Sequence, residues 1–335
     1  MGLGMKNCDE VFSNISVTSH ALRQGKILGS TEAGFAVLKD IEEASKSCPE
    51  KFPRFLLEAV PSYLKARPTS VVMKNLLREY LDVFLRVASR EGLKDAIAQT
   101  PQHVESIIEN VENIKDAVAT LGSKRINDGD IILTHSYSST IIKLLQKALD
   151  RGLKFSVIIT ESRPIGEGKY AAEVISRLGV DTTLIVDSAV RFVMKRVNRV
   201  FVSADAVAAN GAVINKAGTS AIALAAKEAR VRTYVTAGTY RIGLETVFGE
   251  LIEGVVLSDA SLIMPEDKAK ELSGRILVKA PLFDVTPPEY IDAIITEKGV
   301  LAPQAIPLII KEIYGWPPRL RPPEELLEEV RKYVS

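Results

Sequence analysis

The chain has 335 residues, 46% of them hydrophobic and 25% charged, and its 43 basic and 42 acidic residues leave a formal net charge of +1. This composition is typical of a globular protein with one large core or two moderate ones. The balanced charge argues against generic nucleic-acid binding, and no stretch approaches the roughly 18 apolar residues of a membrane span. The amino terminus also lacks the pattern of a secretion signal, so we expect a cytoplasmic protein with no membrane contact.

The two cysteines, Cys8 and Cys48, lie in the polar amino-terminal region. No Cys or His spacing fits a zinc site. We therefore expect two free thiols in a reducing compartment and no bound metal or cofactor.

Apolar residues recur at helical spacing from about residue 31 to 121, which predicts a helical domain. Pro61 should kink or divide one of its helices, and Pro68 should open the next one from Thr69 or Ser70. Gly122 fits a C-cap for the last helix.

From residue 129 onward, short β-rich runs alternate with helical segments, which predicts an α/β domain with a mostly parallel sheet covered on both faces. The predicted strands are DIILTH, FSVIIT, DTTLIV, RVFVSA, RTYVTA and DAIIT. After residue 315 a proline-rich linker leads to one amphipathic helix, which we expect to pack on the body of the protein or on a partner.

Four polar segments follow strands of this predicted sheet, namely THSYSS, TESRP, SADAV and TAGTY. Ligands of open α/β sheets bind beyond the carboxyl ends of the strands. Each segment could instead only cap the next helix. Their coincidence on one edge favours a binding site.

The segment NGAVINKAGTSAIALAAKEA places polar residues before an alanine-rich helix. A helix amino terminus offers unpaired N–H groups and partial positive charge, Gly218 allows close backbone approach, and Lys216 adds a full charge. We predict a phosphate site formed by Asn215, Lys216, Gly218 and Thr219. Capping alone remains the alternative.

A further candidate is Asp205, which directly follows an apolar strand. Its carboxylate could act as a general base or bind sugar hydroxyls, or it could only cap the next helix. In the helical half, Arg67 offers a planar fork for phosphate, and Thr69 and Ser70 open a helix beside it. A surface arginine next to a capped helix would look the same.

His135 directly precedes Ser136, and adjacent side chains point in different directions. A nucleophile needs its base within hydrogen-bond reach, so this pair does not predict a hydrolase triad. We expect His135 to be a structural, hydrogen-bonded histidine.

Several blocks resemble one superfamily: THSYSS, TESRP, VDSAVRFVMK, SADAVAANGAVINKAGTSAIALAAKEARVRTYV and FDVTPPEYIDAIITEKGVLAP. It contains the alpha, beta and delta subunits of translation initiation factor 2B, archaeal ribose-1,5-bisphosphate isomerase and methylthioribose-1-phosphate isomerase. The resemblance implies a helical amino-terminal domain followed by a Rossmann-like domain. With the sequence pattern, we place them at residues 1–122 and 123–315, ahead of a linker and helix at 316–335. The resemblance also implies a dimer or hexamer.

Three positions depart from the isomerases of this superfamily. Ser136 stands where they carry a catalytic cysteine, Leu28 replaces an arginine that helps to hold phosphate, and Gly238 stands where an acidic residue is usual. A thiol with a pKa near 8.5 exchanges protons at neutral pH, whereas a serine hydroxyl needs a dedicated base.

These departures favour a regulatory-subunit-like protein that binds a phosphorylated sugar or nucleotide without turnover and contacts initiation factor two subunits. The first alternative is a working ribose-1,5-bisphosphate isomerase, in which Asp205, with Ser136 in place of the cysteine, carries the catalysis. The second is a structural assembly partner with an empty cleft.

Overall fold

The computed structural model describes residues 7–24, 26–27, 29–243, 256–257, 260–272, 275–318 and 320–334. The chain forms two compact units, one made of Met1–Asn113 with Trp316–Ser335 and the other of Ile114–Gly315. Among the residues that the structure describes, none of the helices combines the length and the apolarity that crossing a bilayer would require.

Helices build the first unit, as the apolar periodicity predicts. They are α1 (Cys8–Arg23), α2 (Ser30–Ser47), α3 (Phe52–Ala66), α4 (Val71–Arg90), α5 (Leu93–Ser123), which continues into the second unit, and α12 (Pro323–Val330). Their apolar faces meet in a core that includes Phe52, Phe55, Tyr80 and Phe84, all fully buried. The rings of Phe52 and Phe84 meet edge to face at 5.7 Å, a favourable aromatic geometry.

The helix boundaries confirm one sequence prediction and correct two. Ser70 is the N-cap of α4, and its hydroxyl accepts a hydrogen bond from the Met73 amide. Pro61 does not divide α3, where it lies on the exposed side. Gly122 is not a C-cap: it lies inside α5, where a Cβ atom would come within 2.3 Å of Leu144. Close packing, rather than a turn, explains this glycine.

The two cysteines are not free thiols, contrary to the expectation from the sequence. Cys8 at the start of α1 and Cys48 just after α2 form a disulfide, with their Cα atoms 5.2 Å apart. The bond joins residues 40 positions apart, a separation that carries no spacing signature in the sequence. Packing of α1 against α2 brings the two together.

A seven-stranded sheet dominates the described part of the second unit. Its strands are β1 (Ile131–His135), β2 (Ser156–Thr160), β3 (Asp181–Ile185), β4 (Arg199–Ser203), β7 (Arg232–Thr236), β12 (Ala293–Thr296) and β13 (Gly299–Leu301). They lie in the order β13-β12-β7-β4-β1-β2-β3, and all neighbours are parallel except β12 and β13. The predicted fold class, with every predicted strand, is confirmed.

Helices alternate with these strands along the chain. They are α6 (Ser139–Asp150), α7 (Glu167–Arg177), α8 (Val190–Met194), α9 (Thr219–Ala229), α10 (Glu266–Glu271) and α11 (Ile306–Tyr314). The carboxyl-terminal end of α5 and helices α6 and α7 contribute apolar side chains to the same buried cluster as the strands. The core of this unit therefore lies against the sheet.

A second, smaller sheet carries part of the candidate site. It consists of β5 (Ala206–Ala208), β6 (Val213–Lys216), β8 (Ile242–Gly243) and β11 (Phe283–Thr286), in the order β11-β6-β5-β8. Antiparallel pairing of β11 with β6 sets Asp284 opposite Asn215 and Phe283 opposite Lys216. A further ribbon pairs β9 (Val256–Leu257) with β10 (Ala280–Pro281).

The carboxyl-terminal helix packs on the body of the protein, one of the two positions that its amphipathic pattern allowed. Helix α12 contacts α3 and α4, and Leu326 and Val330 on its apolar face are fully buried. The Arg321 guanidinium lies 3.1 Å from Asp82 of α4 and also bonds Glu329 of α12. The last segment thus completes the helical unit.

Candidate active site

The order of the large sheet reverses between β1 and β4, which are parallel neighbours. Such a switch point opens a crevice at the carboxyl ends of the strands, where ligands of this architecture bind. Ser136 is the first residue after β1, and Asp205 follows β4 by two residues. Because adjacent strands lie about 4.8 Å apart, the two segments share this end of the sheet.

Ser136 is held in one orientation by two hydrogen bonds. Its backbone has a φ of 63°, in the left-handed region, and its amide donates to the Ser162 hydroxyl over 2.7 Å. Its own hydroxyl donates to Oε2 of Glu167 over 2.6 Å. Since Ser136 is 6% exposed, water competes little for these bonds.

Glu167 reaches Ser136 because α7 begins unusually close to the end of β2. The closeness depends on Gly168, where a Cβ atom would lie 1.8 Å from the Thr160 carbonyl oxygen. The other Glu167 oxygen, Oε1, lies 3.1 Å from Nζ of Lys216, and both side chains are largely buried. A buried carboxylate requires such compensation.

His135 is a structural histidine, as expected. Its Nε2 lies 3.0 Å from the Ala217 carbonyl oxygen, which can only accept, so Nε2 carries the proton. Its Nδ1 then accepts from the Thr160 hydroxyl at 2.5 Å, and the Ser162 hydroxyl oxygen lies 3.2 Å from the same nitrogen. Burial lowers the pKa of His135, which keeps the ring neutral.

The Ser162 loop is in turn fixed by an acid. The carboxylate of Asp187 accepts hydrogen bonds from the amides of Ser162 and Arg163, over 2.8 and 2.7 Å. Ser162 also has a left-handed φ of 62°. The loops after β1 and β2 therefore form one hydrogen-bonded assembly around Ser136.

The amino terminus of α9, where the sequence predicts a phosphate, already holds an anion. Oδ2 of Asp284 accepts hydrogen bonds from the amides of Gly218 and Ser220, over 2.7 and 3.1 Å. Oδ1 of Asp284 has no hydrogen-bond partner among the described residues, and burial raises the pKa of this carboxyl to about 6. A phosphate at these two amides would have to displace Asp284.

The side chains predicted to bind phosphate also have partners within the chain. The Asn215 amide donates to the Thr219 hydroxyl over 3.0 Å, and that hydroxyl donates to the Lys216 carbonyl over 2.7 Å. The Lys216 ammonium pairs with Glu167 and lies 4.8 Å from the centre of the Phe283 ring. Of this set, Lys216 contacts Glu167 and so belongs to the Ser136 cluster, which consists of Ser136, Ser162, Glu167 and Lys216.

Asp205 is fixed through its backbone and its neighbour. Its amide donates to the Ile214 carbonyl of β6 over 2.8 Å, and the Ala204 carbonyl accepts from the buried Arg241 guanidinium. Gly238 follows β7 and so lies at the same end of the sheet as Asp205. A Cβ atom at Gly238 would come within 2.5 Å of Ile114. Leu28, the third departure from the isomerases, lies outside the described residues.

Arg67, Thr69 and Ser70 belong to the first unit, whereas the Ser136 cluster belongs to the second. Arg67 follows α3, and its guanidinium donates to the Gly29 carbonyl at 3.4 Å. Ser70 is occupied as the α4 cap. The role of these residues in binding phosphate stays a prediction.

Glu167, Ser162 and Asp284 are site residues that the sequence did not single out. Ser162 lies in the TESRP segment, which the strand-end rule does identify. Glu167 carried a weaker signal, an acid followed by glycine at the start of a helix. Asp284 carried none, because its partner Gly218 is 66 residues away.

The chain matches the model of the initiation factor 2 subunit family over residues 24–303. A ribose 1,5-bisphosphate isomerase of Thermococcus kodakarensis is 38% identical over 296 residues, which cover 87% of this chain and 90% of that protein. The Pyrococcus furiosus protein of the same name is 37% identical, covering 91% and 95%.

Other relatives carry names from translation. A putative translation initiation factor eIF-2B subunit 2-like protein of Pyrococcus horikoshii is 32% identical over 248 residues, covering 74% of this chain and 81% of that protein. The crystal structure of the Pyrococcus horikoshii OT3 translation initiation factor eIF-2B superposes with a TM-score of 0.72 at 26% identity, covering 87% of this chain and 97% of the other. The chain therefore belongs to the initiation factor 2 subunit family.

Proposed function

We propose that the protein is a sugar-phosphate isomerase that converts ribose 1,5-bisphosphate to ribulose 1,5-bisphosphate. The observation that carries this proposal is the placement of Ser136 and Asp205 after the adjacent strands β1 and β4, at the switch point of the sheet. Near-full-length similarity to relatives named for this activity supports it. The Glu167 carboxylate beside Ser136 weakens the main objection, since the hydroxyl is not without a base.

The reaction needs two groups that exchange protons with the sugar. In it the ring opens, the hydrogen on C2 moves to C1, the C2 hydroxyl loses a proton and the ring oxygen gains one. We assign the transfer from C2 to C1 to Asp205, which takes up the proton and returns it to C1. We assign to Ser136 the uptake of the C2 hydroxyl proton and its delivery to the ring oxygen. No proton or electron is left over.

Turnover of ribose 1,5-bisphosphate by the wild-type chain and by Asp205→Asn tests this proposal. We expect wild-type product formation, and a loss of about a hundredfold or more in kcat for the variant, because general acid–base groups contribute on that scale. Exposed Asp150→Asn is the matched control. An inactive wild type, or a fully active Asp205→Asn, contradicts the proposal.

A second candidate is a regulatory-type protein that binds the phosphorylated ligand without turnover and contacts initiation factor two subunits. Ser136, in place of the cysteine expected from the resemblance, favours it. This candidate predicts that calorimetry detects ribose 1,5-bisphosphate or a nucleoside monophosphate, while wild type forms no product. Activity that appears only in Ser136→Cys would support it.

We also propose that the chain associates with copies of itself. Phe192 of α8 is 86% exposed, and the second unit also exposes Val186 and Leu224. Light scattering should give at least a dimer mass, and Phe192→Asp tests whether this residue contributes. A wild-type monomer at all concentrations would refute the association.

A further inference from the structure

Glu167 dictates what the Ser136 hydroxyl can do. A hydroxyl has one hydrogen, and Ser136 directs it at Oε2 of Glu167 over 2.6 Å. Its oxygen therefore presents only lone pairs to any other group. In this arrangement Ser136 can accept a proton from a ligand, and it can donate one only after its own proton has passed to Glu167.

Ser136 alone is a poor proton carrier, because an unassisted alkoxide is far too unstable at neutral pH. A carboxylate at hydrogen-bond distance removes this obstacle, since the hydroxyl can pass its own proton on as it takes up another. Glu167 meets that condition, and its short bond to Ser136 is protected from water in a largely buried site.

Lys216 makes this arrangement stable. Its ammonium lies 3.1 Å from Oε1 of Glu167, on the oxygen that Ser136 does not use. The side chains of Lys216 and Glu167 are 14% and 5% exposed, so the pair is shielded from bulk water. An isolated carboxylate in such a buried position would be costly. Each Glu167 oxygen thus has a separate partner.

We propose that Glu167 is the positioning residue and proton acceptor behind Ser136, so that the two together carry the proton that a thiol would carry alone. This inference rests on the isomerase function proposed above. The sugar's C2 hydroxyl gives its proton to Ser136 Oγ, whose own proton passes to Glu167. The proton later returns through Ser136 to the ring oxygen, where the electron pair of the broken C1–O bond receives it.

The test is a double-variant cycle in the full-length chain with ribose 1,5-bisphosphate. Glu167→Gln keeps the shape but removes the base, so kcat should fall by about a hundredfold while KM changes less than about threefold. Adding Ser136→Cys to Glu167→Gln should recover at least about tenfold, because a thiol ionises without a carboxylate behind it. Glu173→Gln, at an exposed position of the same helix, is the matched control.

The outcomes separate this inference from the function on which it rests. Wild-type turnover that survives in Glu167→Gln, or a loss that Ser136→Cys does not relieve in a folded double variant, overturns the role of Glu167 alone. Inactivity of wild type overturns the isomerase proposal and the inference with it. If Glu167→Gln does not fold, Glu167→Asp, which retains the carboxylate, should keep more activity than Ser136→Ala. Equal or lower activity contradicts the inference.

Discussion

At the scale of single residues, the start of α9 shows that the chain itself supplies an acceptor for the amides at which the sequence predicts a phosphate, so phosphate binding there stays a prediction. The sequence predicts an anion at these amides, and an anion is there, but it is the Asp284 carboxylate of the chain itself. Local patterns show that N–H groups are available. They do not show which distant strand will deliver an acceptor, and pairing of β11 with β6 does so here.

Asp284 gives a pH-dependent prediction. Burial raises its pKa from 3.8 to about 6, so the folded protein holds this proton more tightly than the unfolded chain does. The resulting stabilisation is present below pH 3.8 and is lost as pH rises through 6. Relative to Asp284→Asn, wild type should therefore lose thermal stability between about pH 4 and 7. Melting curves at matched pH check this, and a constant difference contradicts it.

At the scale of elements, the second unit shows which signals the sequence carries. Six of the seven strands of the large sheet were predictable because β-branched runs alternate with helices over many residues, whereas β13, with three residues, was not predicted. The strands of the small sheet have two to four residues, too short for a period to show. Yet that sheet brings Lys216 to the site, so the partner of Glu167 depends on long-range pairing.

Replacing Gly168 tests whether the close approach of α7 to β2 is needed for stability and for the contact between Glu167 and Ser136. A Cβ atom at this position would lie 1.8 Å from the Thr160 carbonyl oxygen, and backbone cannot yield as a flexible side chain can. Gly168→Ala should lower the free energy of unfolding by about 1–3 kcal/mol and move Glu167 away from Ser136. Denaturant titration and the isomerase assay measure both effects. Lys169→Ala, at an exposed neighbouring position, should stay within about 0.5 kcal/mol.

The disulfide between α1 and α2 gives a second prediction at this scale. Closing a loop of 40 residues restricts the unfolded chain and should contribute about 4 kcal/mol. A Cys8→Ser, Cys48→Ser double variant should unfold at correspondingly lower denaturant. Reductant should destabilise wild type to the same extent and leave the double variant unchanged. A wild type indifferent to reductant would contradict the prediction.

At the scale of the whole molecule, attachment of the last segment depends on apolar burial more than on charge. Leu326 is fully buried, and Leu326→Ala should cost about 2–5 kcal/mol through lost contacts and a cavity. Arg321 bridges Asp82 and Glu329 at 39% exposure, so Arg321→Met should cost less than about 1 kcal/mol. Unfolding titrations of the two variants decide the ranking, and the reverse order would show that the ion bridge dominates.

Because the chain is synthesised from its amino terminus, the two units differ in when they can finish folding. The second unit, Ile114–Gly315, is one uninterrupted stretch, so it can fold before residues 316–335 have been made. The first unit draws α12 from residues 323–330, so the faces of α3 and α4 that α12 covers stay exposed until those residues have been made. Nascent chains stalled before residue 323 should therefore bind chaperones that released chains do not.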